Sequence, residues 1–204
     1  MAAVSEWIAR EYFEMLGFMV LQPSKYQVTA RPKRPAEQFE FVISRTDSTP
    51  HKLPKDLRWE NEDLYTIRRA IVSVRAWHSD RFTPSVLDGS PEIFKFAEEA
   101  SMNAAQELLG DGPIARILCV PGLPASDSTE EKSLWRLKDG GIDGVILFRN
   151  MLKLLIEYVE PSANYEKSDM LQILRLLKHY DLLREDQLEL FRDRGPSQEG
   201  AFIG

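Results

Sequence analysis

Three short, almost unbroken apolar runs constrain this chain most: "AIVSVRAW" (70–77), "ARILCVPG" (115–122) and "GIDGVILF" (141–148). Each is too short for a core helix and too apolar to keep one face wet, so each reads as a strand covered on both sides. Such strands need helices above and below them. "VSEWIAREYFEML" (4–16) places Trp7, Ile8, Tyr12, Met15 and Leu16 on one helical face, and Gly17 ends the run. The spacing of Ile93, Phe94, Ala97, Ala100, Ala104 and Leu108 predicts a long helix over 91–109, closed by Gly110 and Gly112. A further helix is predicted over 149–160, and Ser168 is positioned to cap "DMLQILRLLKHY".

Two weaker strands, "FMVLQ" (18–22) and "EQFEFVISR" (37–45), lie between the first helix and residue 70. The segment 23–37, with Pro23, Pro32 and Pro35, reads as a loop, and the acidic "RWENEDLY" (58–65) as a turn or short helix. The predicted class is α/β: a three-layer core with a central mixed sheet flanked by helices, and a C-terminal helical extension. The expected division is a core over 1–148, helices packed on it over 149–194, and a disordered tail over 195–204.

Charge and cysteine usage narrow the partners. The chain of 204 residues carries a formal net charge of −6, whereas nucleic-acid binders usually hold a basic surplus. Local clusters at Arg31, Lys33 and Arg34 and at Arg68 and Arg69 are the sequence's candidates for phosphate contact. No apolar run approaches the ~20 residues of a membrane helix, and "MAAVSEWIAR" lacks the basic and apolar regions of a secretion signal. The single cysteine, Cys119, excludes an internal disulfide and reads as a buried thiol. A cytoplasmic protein with no membrane partner is the expectation.

Nucleotide-binding glycine loops and the serine-hydrolase elbow are absent from the sequence. What remains is an ordered set. A helix carrying Glu6 is followed by a strand with Glu40 between Phe39 and Phe41. Next comes the run 70–77, with Ser73 and Arg75 on the face opposite Val72 and Val74, and then a helix and "ARILCV". Over roughly residues 5–120 this order resembles the core of the PD-(D/E)XK, or restriction-endonuclease-like, nuclease superfamily.

The resemblance implies a catalytic strand at 70–77, a glutamate from the first helix, an acid near the second core strand, and an acid and a lysine two residues apart on the third. Carried over by position, Glu6 matches the helix glutamate, Glu40 the strand acid, Ser73 the second acid and Arg75 the lysine. Mg²⁺ would be the implied cofactor, with Glu6 and Glu40 as its ligands, because phosphodiester hydrolysis needs a hard cation on oxygen donors. Trp77 and His78 would stand at the mouth of the site, stacking on a base and touching a phosphate of DNA or RNA.

Two departures weaken the chemistry. Serine is a poor Mg²⁺ ligand, and arginine keeps the charge of lysine but not its ability to exchange a proton. Glu60, Glu62, Asp63 and Asp80 are the carboxylates nearest in sequence that could substitute. Two functions follow. One is a nuclease-superfamily protein associated with nucleic acid, with hydrolysis weak or lost. The other is a non-enzymatic protein-interaction or dimerisation module using the same fold as a scaffold.

Overall fold

The computed structural model describes residues 2–23, 38–46, 50–78 and 81–183. The loop predicted over 23–37, the Arg31–Lys33–Arg34 cluster, Asp80 and the tail lie almost wholly outside these residues. Helix α1 (Ala2–Met15) leads into β1 (Met19–Leu21), β2 (Phe41–Ser44) and β3 (Arg69–Val74). Then come α2 (Pro84–Gly89), two short 3-10 turns, α3 (Glu99–Leu109), β4 (Ala115–Val120), α4 (Asp127–Asp139) and β5 (Gly144–Leu147). Helices α5 (Phe148–Tyr158) and α6 (Asp169–His179) follow. The five strands form one sheet in chain order, antiparallel from β1 to β3 and parallel from β3 to β5. The protein is thus α/β, with a mixed sheet between helices.

Strand parity sorts the core. Val42, Ile71, Leu118 and Val145 point to one face, where they pack with Phe82, Leu87, Phe96, Ala105 and Leu137 from α2, α3, α4 and the turns between. Ile43, Val72, Ile117 and Ile146 alternate to the other face and are equally buried. That second face is covered by α1, through Ala9, Tyr12 and Phe13, and by the start of α5, through Phe148, Met151 and Leu155. The ladder between β3 and β4 therefore has no wet side, as the unbroken apolar runs required.

Two elements differ from the sequence reading. The helix predicted over 91–109 is in fact α3 alone, preceded by 3-10 turns at Pro91–Ile93 and Lys95–Ala97. The break falls at Glu98, whose backbone is extended (φ −68°, ψ 157°), and Ser101 Oγ donates to the Lys95 carbonyl at 2.9 Å across it. Upstream, the stretch between β3 and that helix, to which the sequence assigns no element, contains α2, started by Thr83, whose hydroxyl accepts from the Val86 N–H, and by Pro84 in the first turn. Ser168 caps α6 as expected, accepting from the Leu171 N–H at 3.3 Å.

Residues 57–59 extend the sheet beyond β5. The Trp59 N–H donates to the Val145 carbonyl at 2.9 Å, and the Val145 N–H to the Leu57 carbonyl at 2.7 Å. The wholly buried Trp59 indole lies over Gly144, its ring atoms 2.3 Å from where a Cβ would stand. Only glycine allows this approach. The compact units of the chain are residues 1–155 and 156–204, so the first two turns of α5 belong with the sheet. Gly144→Ala should cost roughly 1–3 kcal/mol through overpacking against Trp59, read as a lower urea midpoint with an unchanged slope.

Candidate active site

Glu40 stands one residue before β2, where its N–H still donates to the Val72 carbonyl at 2.9 Å. Two residues from Val42, its side chain falls on the same face of the sheet as Ser73. The carboxylate meets three donors there. Oε2 accepts from Ser73 Oγ at 3.0 Å and from the Val74 N–H at 2.7 Å, and Oε1 faces Arg75 Nη1 at 3.5 Å. Ser73 is fully buried, and the Glu40 and Arg75 side chains are each 15% exposed. Arg75 also reaches the Glu92 carbonyl at 3.4 Å, while its backbone N–H joins the Cys119 carbonyl at 2.9 Å. The structure therefore brings together the three residues that the sequence placed at the reacting centre.

Their chemistry is that of a clasp. The carboxylate's nearest cation is a guanidinium, whose charge repels a divalent ion from the same oxygens. Ser73 spends its proton on Glu40 and offers no anionic oxygen. Burial pushes the Cys119 thiol well above its ordinary range, and the negative charge of Glu40 pushes it further the same way. That thiol is inert at neutral pH.

Glu6 stands on α1. Helix α1 covers the face opposite Ser73, and Glu6 Oε2 accepts from Gln22 Nε2 at 2.8 Å just after β1. Among the described residues no group of three or more His, Cys, Asp or Glu side chains is arranged to hold a metal ion. The donor set around Glu40 does not fit Mg²⁺.

Of the substitute carboxylates, Glu60 pairs with Asn150 Nδ2 at 2.6 Å, and Asp63 accepts from the Glu60 N–H at 2.9 Å. Both lie on the α1 side, where their neighbour Tyr12 donates to Asn61 Oδ1 at 2.8 Å. Burial drives the Tyr12 hydroxyl far above its usual pKa, with smaller upward pushes from Cys119, Glu60 and Glu62.

Trp77 and His78 divide between the two faces. The Trp77 ring stacks on Phe82, with centroids 5.6 Å apart and planes at 17°, and packs on the core beside α2. His78 turns the other way. Its Nε2 lies 2.9 Å from Ser5 Oγ on α1, and its ring meets the edge of Phe148 at 4.9 Å. Trp77 is half-buried by its contacts, whereas His78 remains exposed beside α1. Arg68 and Arg69 sit at the opposite end of β3. Arg69 donates to the carbonyls of Gly110 at 3.3 Å and Asp111 at 2.6 Å, closing the end of α3. The Arg68 N–H donates to His51 Nδ1 at 3.2 Å, and burial lowers the pKa of that imidazole. A six-residue strand at ~3.3 Å per residue separates these arginines from Trp77 by roughly 20 Å. The four expected nucleic-acid contacts thus form two separate groups.

Asp143 ties the start of β4 to the start of β5. Its Oδ2 accepts from the Arg116 N–H at 2.8 Å, with the Arg116 guanidinium at 3.6 Å. Burial raises its pKa, against the opposing pull of Arg116. The feature the sequence reading passed over is α4. In "DSTEEKSLWRLKD" Leu137 is buried, yet Trp135 beside Leu134 is 65% exposed. A tryptophan one position off the apolar stripe was the available signal.

Comparison with known proteins returned no match: no family model, curated protein or solved structure matches the chain. Glu40→Ala should lower stability by roughly 3 kcal/mol, because Arg75 is left charged and without its partner. Equilibrium denaturation would measure this, and a variant as stable as the parent would show that the clasp carries no weight.

Proposed function

We propose that this chain is a restriction-endonuclease-like protein whose catalytic strand has become a structural clasp, and that it acts as a non-hydrolytic interaction scaffold. The observation that carries the reading is the engagement of Glu40: its oxygens already hold Ser73, the Val74 amide and Arg75. A nuclease keeps such a carboxylate for a metal and its waters. The order of elements supports the family resemblance: a helix, three antiparallel strands, helices, then a parallel strand. The scaffold reading is favoured over nucleic-acid association by the net charge of −6 and by the separation of Arg68 and Arg69 from Trp77 and His78. The buried thiol of Cys119 suits a reducing, cytoplasmic setting.

The test is a cleavage assay with Mg²⁺ or Mn²⁺ on mixed DNA and RNA, comparing the native chain, Glu40→Ala and the double variant Ser73→Glu/Arg75→Lys. No cleavage by native chain or Glu40→Ala is expected, together with DNA binding too weak to show a salt slope. Glu40-dependent cleavage by the native chain would overturn the proposal. Cleavage by the double variant alone would show a lapsed nuclease site beneath the clasp.

A further inference from the structure

A groove runs between α4 and the segment before Trp59, which bends over residues 55–57 and meets the sheet at Arg58. Its larger part has a cavity volume of about 470 Å³ and continues past Lys55, Leu57 and Lys138 into a second of about 300 Å³. One wall is a single stripe of α4: Glu131, Leu134, Trp135 and Lys138, at i, i+3, i+4 and i+7. The other is the backbone from Lys55 to Arg58. The helical wall spans about 10 Å at 1.5 Å per residue.

Arg58 bridges to Val145 in parallel fashion, through the Leu57 carbonyl and the Trp59 N–H. By alternation, the N–H and carbonyl of Arg58 itself point away from β5, toward the open edge of the sheet. An edge of this kind is a template for one more strand.

The charges set a direction. At one end the Arg58 guanidinium is already paired, 3.1 Å from Glu130 and 3.7 Å from Glu60, and Glu131 adds a negative charge. At the other end Lys55 and Lys138 line both parts of the groove, and Lys138 Nζ lies 5.9 Å from the Trp135 ring centre. The acids there are Asp56 and, in the smaller part, Asp143, whose charge is met by Arg116 at 3.6 Å. A ligand is therefore apolar over Leu134 and Trp135 and negative at the lysine end.

We propose that this groove binds an extended peptide segment of a partner protein, which pairs with the Arg58 edge, rests an aromatic or aliphatic side chain on Trp135 and Leu134, and places a carboxylate at Lys55 and Lys138. The site is distinct from the Glu40 clasp, and a chain that hydrolysed nucleic acid could carry it equally well.

The experiment pans a phage-displayed library of random dodecapeptides on the full-length protein and measures the enriched peptides by fluorescence anisotropy. Enrichment of an apolar residue near Asp or Glu is expected. Trp135→Ala, and separately Lys55→Glu with Lys138→Glu, should each weaken binding by about tenfold or more at unchanged melting temperature. N-methylation along the peptide should reduce affinity at alternate positions only. Failure to enrich any peptide would overturn the proposal. So would peptides indifferent to both variants, or to N-methylation. Binding of fluorescein-labelled dT12 that is lost in the same variants would reassign the groove to single-stranded nucleic acid.

Discussion

A single carboxylate closes the seam between β2 and β3. Glu40 stands where β2 begins, and its oxygens gather a hydroxyl, an amide and a guanidinium from Ser73, Val74 and Arg75 at the end of β3. A buried serine hydroxyl and a nearly buried arginine would each be costly without a partner. With Glu40 in place they satisfy one another, apart from the buried Arg75 Nε, which lacks a hydrogen-bond acceptor. The register Phe41↔Val72 is then held from the side chains as well as from the ladder. Everything on the sheet's first face, from Phe82 to Leu137, packs against strands whose order depends on that register.

The same contacts explain why the site resembles a catalytic one in sequence. Polar residues at i and i+2 on a buried strand, with an acid near the start of its neighbour, are what a metal-dependent hydrolase requires. They are also what a buried ion pair requires. The two differ in whether the carboxylate retains an open coordination sphere, and that depends on distances which a residue pattern does not encode.

The fold was legible where burial dictates it. Val72 and Val74 against Ser73 and Arg75 follow from period-two alternation, and the continuous apolar runs at β4 and β5 followed from two-sided coverage. Helix boundaries around Pro84 and Pro91 were less legible, because proline starts a helix as readily as it breaks one. The side of the sheet that α1 takes is less legible still. Nothing local to α1 says which face of a sheet it will cover. The segment Leu57–Trp59 was unreadable as a strand because a single bridge leaves no periodicity; its signal was the pairing of a buried Trp59 with a distant Gly144.

The opposed directions of Trp77 and His78 constrain length more than composition. Adjacent residues leaving β3 fasten the layer beside α2 and the layer beside α1. Exchanging either for another ring of similar size leaves the connection in phase. Inserting or removing one residue after Val74 would send each ring toward the wrong layer, so variation among sequences with this architecture should conserve the spacing from Ser73 to Phe82 before it conserves the residues within it.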